Sequence, residues 1–225
     1  MKATPIRRQI ELFVSMCALD NKLDRIIAAM PAFTVSDALM ENIKSYAMAV
    51  LLSAKVSAYK GSIPHDHVMA IIQQQRLNIP DNLNSDHYAQ KEIKTAIQLE
   101  LTQAHSKIKK ELKISITKDY SIFALAMRVV TNTQCSVNVP LCARLALLCK
   151  VYEGNKTSKY WDAVNTWLKL VRDTANNDAA MITMAFTNIL KADHAMYTKT
   201  SVYSIATDSD AWQESVDQVI VGASA

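Results

Sequence analysis

Apolar residues recur every three or four positions along nearly the whole chain, the spacing of helices that bury one face. Ile6, Ile10, Phe13, Val14, Cys17, Leu23 and Ile27 mark a first helix, which Pro31 stops. Ser36 caps a second, with Leu39, Ile43, Tyr46, Val50 and Val56 recurring as far as Gly61. Ser62 and Pro64 open a short third helix that ends before Asn78-Ile79-Pro80. The fourth, from about Asp86 to Lys113, is the longest, and Ile93, Ile97, Leu101, Ala104, Ile108 and Leu112 form one stripe along it. Further helices are expected over residues 120–130, 139–152, 158–175 and 178–194. Ser209 or Asp210 caps a last amphipathic helix built on Trp212, Val216 and Val219. Only residues 113–117 and 133–139 alternate like strands, and both read as linkers. The pattern predicts an all-α protein of eight or nine helices in an irregular helical bundle, without a repeat of fixed period.

The most loop-like stretch is residues 81–85, which places a boundary there. The expected organisation is an N-terminal helical subdomain over residues 1–80 and a second over 86–198. An acidic tail with a possible terminal helix follows over 199–225.

Composition removes several function classes. The chain has three glycines, Gly61, Gly154 and Gly222, where average usage would give about sixteen. P-loops, doubly wound nucleotide folds and nucleophile elbows need glycine where the backbone turns tightly or approaches phosphate. No stretch approaches the roughly eighteen uncharged apolar residues of a membrane span, residues 45–54 and 179–190 being the best, so no membrane partner is expected. The basic start MKATPIRR is followed by Glu11 and Asp20 and lacks a cleavage site, which points to an intracellular protein of nucleus or cytoplasm. Cys17, Cys135, Cys142 and Cys149 then read as reduced thiols, with Cys142 and Cys149 seven apart on one helix face.

Charge is unevenly spread. Residues 1–84 carry a net +2, residues 85–175 a net +6, and residues 176–225 a net −4. A basic middle and an acidic end suggest either a polyanion partner or self-complementary association. Opposite charge also leads to the expectation that the C-terminal helix docks on or near the fourth.

The candidate chemistry lies mainly on that fourth helix. At 100° per residue, Thr102, Ser106, Lys109, Lys110 and Lys113 fall opposite the apolar stripe. Three ammonium groups and two hydroxyls on one face suit a phosphate backbone, and they equally suit a solvated face. Arg144 and Lys150 lie on a helix that invites comparison with a recognition helix. That comparison is strained by the long, glycine-free connection before it and by the apolar run Leu141, Leu145, Leu147, Leu148. An ion pair of Arg144 with Asp162 or Asp173 is the structural alternative. His65 and His67 flank Asp66, but no further ligands have metal-site spacing, and Asp66 with Ser62 reads as a cap. Cys135, in a polar connection, is the thiol most open to reaction. Tyr160, Trp161 and Trp167 have core-packing spacing. No metal or cofactor is expected, and no paired carboxylates or nucleophile–base set suggests an enzyme.

Three segments carry a resemblance: residues 101–113 (LTQAHSKIKKELK), 139–152 (VPLCARLALLCKVY) and 160–172 (YWDAVNTWLKLVR). They resemble a large group of uncharacterised helical proteins of mushroom-forming (basidiomycete) fungi, with similarity extending over about residues 39–195. The resemblance implies a fungal intracellular context and no activity. Two functions are expected from the residues. The first is a non-enzymatic module binding nucleic acid, DNA before RNA, mainly through phosphate contacts at Thr102, Ser106, Lys109, Lys110, Lys113, Arg144 and Lys150. The alternative is a helical protein-interaction or self-assembly scaffold, with a protein partner or homo-oligomer.

Overall fold

The computed structural model describes residues 5–29, 33–197 and 205–223. These hold nine helices and no sheet: α1 (Pro5–Ala29), α2 (Asp37–Leu52), α3 (Ile63–Gln74), α4 (His87–Lys118), α5 (Ile122–Val130), α6 (Val139–Gly154), α7 (Tyr160–Thr174), α8 (Ala179–Tyr197) and α9 (Ala211–Gly222). The all-α expectation holds. The chain divides into two compact units, Met1–Thr34 and Val35–Ala225. The expected boundary at residues 81–85 lies inside the second unit, because α2 and α3 pack on α4 across that turn.

Helix α1, taken by itself, is amphipathic over an unusually wide sector. Ile6, Ile10, Phe13 and Val14 form one stripe and Leu12, Met16, Leu19 and Leu23 another, all more than half exposed.

In the second unit α4 is the spine. Its 32 residues span about 48 Å at 1.5 Å per residue. It packs on α2 and α3 on one side and on α5 and α6 on the other. The stripe foreseen for it, Ile93 through Leu112, is buried throughout. Asp86 caps its start by accepting the Ala89 amide at 2.9 Å. Its end is Asp119, in the left-handed region at φ 50°. The expected linker at residues 113–117 is therefore helix, and Ser115 is buried.

Helix α6 is apolar all round because it is enclosed all round: α4, α5, α7 and α8 surround it, and every residue from Leu141 to Cys149 is buried. Among the described residues, left-handed positions fall on Asn78, Asn132, Asn176 and Asn177, as well as on Arg76 and Asp119. Asparagine tolerates that region better than most residues, so the chain turns with very little glycine.

Two expectations about connections are overturned. Helix α2 stops at Leu52 instead of running to Gly61, since Ser53 adopts extended backbone (φ −63°, ψ 133°). Val56 and Tyr59 are buried, but in a loop. The acidic C-terminal helix packs mainly on α2 and α3, and α4 is not its principal neighbour. Polar and aromatic contacts fix it there: Trp212 stacks on Tyr46 with ring centroids 5.5 Å apart, and Ser53 Oγ donates to Asp217 at 2.6 Å. Surface complementarity with α4 loses to buried side chains such as Val216 and Ile220.

Candidate functional site

The loop of residues 53–62 forms one wall of the site, and side chains from two helices hold it. Arg144 on α6 donates to the Ala54 carbonyl. Arg172 on α7 donates to Ser57 at 2.8 Å and Val56 at 3.0 Å. Asn165 accepts the Tyr59 amide at 2.7 Å and donates to the Lys60 carbonyl at 3.2 Å. Lys60 pairs with Asp162 at 2.7 Å. Arg144, Arg172 and Asn165 thus supply partners for a backbone that has left helical geometry.

Arg144 therefore departs from both readings made of it. Only 1% exposed, it can reach neither a phosphate backbone nor a surface carboxylate. Its guanidinium lies 4.6 Å from the Phe186 ring centroid. Its Nε and Nη1 are enclosed without hydrogen-bond partners, as is the Tyr59 hydroxyl. Burial pushes the Tyr59 phenol up to about 12, with the Arg144 charge opposing.

Against this wall, the outer face of α4 floors two adjoining cavities. The larger, about 690 Å³, is bounded by Tyr59, Lys60, Gly61, Ser62, Pro64 and His65 on the loop side. Gln98, Leu101, Thr102, His105, Ser106 and Lys109 of α4, with Trp161 of α7, complete it. The second, about 610 Å³, shares His65 and Gln98 and continues toward the start of α4 past His87, Gln90, Lys91, Lys94 and Thr95. No lining residue of either cavity carries a carboxylate. Asp66 and Asp162 stand just outside, bonded to His65 and Lys60.

Thr102, Ser106 and Lys109 thus come together at one cavity. Lys109 is half-buried, donates to the Thr157 carbonyl at 3.1 Å and lies 5.2 Å from the Tyr160 ring centroid. Lys110 and Lys113 are exposed beyond the cavity lining. Lys150 lies over Trp167 at 5.2 Å and lines neither cavity. The hydroxyls do not serve as expected. Thr102 donates to the Gln98 carbonyl at 2.8 Å and Ser106 to the Thr102 carbonyl at 2.9 Å. With their protons committed to the helix, they offer lone pairs, which repel phosphate.

Sequence reasoning missed Lys60, His65, His87, Lys91, Lys94, His105 and Trp161 as members of this site. For Lys91 a signal was present: it precedes Lys109 by eighteen residues, five full turns, and so lies on the same face. Nothing local announces Trp161, which is carried here by α7. Its ring stacks on Tyr59 (5.3 Å, 16°) and lies 4.5 Å from His105 and 4.7 Å from Tyr160. Burial pushes His105 down to about 4, so it is neutral near pH 7.

His67 is buried, and burial lowers its pKa; Ser62 makes no side-chain cap bond. Among the described residues no group of three or more His, Cys, Asp or Glu is arranged to hold a metal ion. Cys135 is buried, and its thiol is pushed up to about 11 by that burial, against the expectation that it is the reactive one. No described helix is long and apolar enough to cross a membrane.

The chain matches no protein-family model, no curated protein and no solved structure.

Proposed function

We propose that the outer face of α4, with its two cavities, binds nucleic acid through the phosphate backbone, and that the protein acts by binding and not by catalysis. One observation carries the reading: Lys60, Lys91, Lys94 and Lys109 surround two adjoining cavities that no carboxylate lines. From Lys91 to Lys109 the basic face runs about 27 Å, and Lys113 prolongs it. Two of the three acids of α4 are withdrawn from this face, Glu100 by burial and Glu111 by its pairing with Arg128 at 2.7 Å, while Glu92 remains beside Lys91. Lysines so grouped release counterions when they meet phosphates.

The test is a salt titration of oligonucleotide binding with Lys60, Lys91, Lys94 and Lys109 together replaced by Ala. Loss of three phosphate contacts, with a smaller part from Lys60 because Asp162 already pairs it, should reduce the slope of log affinity against log salt by about two to three. The exposed Lys60, Lys91 and Lys94 contribute little to folding and Lys109 contributes one bond to a carbonyl, so the helical circular dichroism should persist. An unchanged slope in a folded variant refutes the reading.

The alternative, an interaction or assembly scaffold, is favoured by α1. Its exposed Ile6, Ile10, Leu12, Phe13, Leu19 and Leu23 form an apolar surface of the kind that partner helices cover. A concentration-independent monomeric mass for the full chain counts against self-assembly.

A further inference from the structure

The α4 face separates two kinds of chemistry. Charge sits at the rim, where Lys60, Lys91 and Lys94 are exposed. The larger cavity is lined by Trp161, by neutral His105 and by the hydroxyls of Thr102 and Ser106, with the half-buried Lys109 at one end. We propose that this cavity takes one unpaired nucleobase, so that the groove is built for single-stranded nucleic acid and not for a duplex. The proposal rests on the nucleic-acid reading above and specifies its ligand.

Three observations support it. The first is shape. A duplex is read by an element that protrudes into one of its grooves. Here α4 lines the cavity together with the loop wall and Trp161 of α7, and a space of about 690 Å³ is large enough for a base but too small to take a double helix inside it. The second is the aromatic wall. Trp161 is held by three rings, stacked on Tyr59 and tilted against His105 and Tyr160, so its position is set before any ligand arrives. Aromatic side chains within a basic groove are what single-strand binding uses, because every base has a π-face to stack. The third is the direction of the hydroxyls. Thr102 and Ser106 donate to helix carbonyls and turn their lone pairs outward, where Thr102 also accepts from the Gln98 side-chain amide at 3.5 Å. Acceptors are useless to phosphate and match the exocyclic amino groups of adenine, cytosine and guanine.

The experiment uses the full-length protein and three fluorescent ligands of about ten nucleotides: a mixed-sequence single strand, its duplex, and an abasic strand with the same phosphates. Anisotropy at low salt should show the single strand binding about tenfold or more tighter than the abasic strand, the gain expected for one stacked base. The duplex should do no better than the abasic strand. Equal affinity for all three, lost together in the four-lysine variant, overturns the base pocket and leaves phosphate binding standing. Absence of binding to any of them overturns the nucleic-acid reading itself. Because Trp161 also packs against Tyr59, its replacement is not the deciding variant. Thr102→Val with Ser106→Ala alters two exposed positions instead. It should weaken the single strand severalfold while sparing the abasic strand, and an equal loss on both refutes the assignment of these hydroxyls.

Discussion

Replacing His105 with Phe tests whether the aromatic wall of the cavity is held together by an imidazole kept neutral. Phenylalanine preserves a ring against Trp161, 4.5 Å away, and removes both the titration and the enclosed, unpartnered Nε2. The histidine's pKa falls from 6.5 to about 4 on folding because burial disfavours its charged form. In acid the unfolded chain therefore takes a proton that the folded chain resists. The stability of the wild type must fall as pH drops below 6.5, and the loss levels off below about 4. Relative to pH 7, the cost is about 1 kcal/mol at pH 5.5 and about 2 kcal/mol at pH 4.5. Asp193 acts in the opposite sense. Burial raises its pKa to about 6, so protonation favours the folded state as pH falls from 6 toward 4. His67, lowered by burial, adds to the loss. Both are present in each protein, so the difference between variant and wild type isolates His105. Urea unfolding at pH 7, 5.5 and 4.5 should show the His105→Phe advantage growing by those amounts. A difference that stays constant with pH refutes the claim that burial keeps His105 neutral.

Arg144→Ala should destabilise the protein by about 3–5 kcal/mol, as for other large buried side chains, because the Ala54 carbonyl also loses its donor. Arg144→Met should cost less by filling the volume, and neither should alter the salt slope of oligonucleotide binding; a folded Arg144→Ala protein with a reduced slope would place Arg144 at the interface after all. Among the thiols, Cys17 is exposed while burial raises Cys135, Cys142 and Cys149. A thiol reagent at neutral pH should label one cysteine in the native protein and all four in denaturant, and rapid native labelling of Cys135 contradicts its burial.

The helices were legible because each is written locally. The stripe from Ile93 to Leu112 and the caps Ser36, Asp86 and Asp210 each use residues within a turn or two of one another. The end of α2 was not, because periodicity continues through Val56 while the backbone leaves the helix. What stabilises that exit is Arg172, more than a hundred residues away. Arg144 misled for a related reason: a guanidinium within an apolar run signals either a surface or a buried clamp, and only tertiary packing decides. Only one edge of the candidate site was visible, since Thr102, Ser106 and Lys109 share a helix face with the missed Lys91. The cavity itself was invisible, because Trp161, Lys60 and His65 join it from other elements.

The loop of residues 53–62 bears on how any ligand would enter and leave. Surface loops beside binding sites are often lids, ordered at an entropic cost when the ligand arrives. This one is bolted to α6 and α7 by two guanidiniums and an amide that occupy its backbone carbonyls and the Tyr59 N–H. It behaves as an extension of the core, and little conformational freedom remains to be lost on binding. Such a wall makes a rigid slot with a permanently open mouth. Ligand residence would then be set by contacts within the slot and by ions competing at its rim, with no gating step to slow either entry or release.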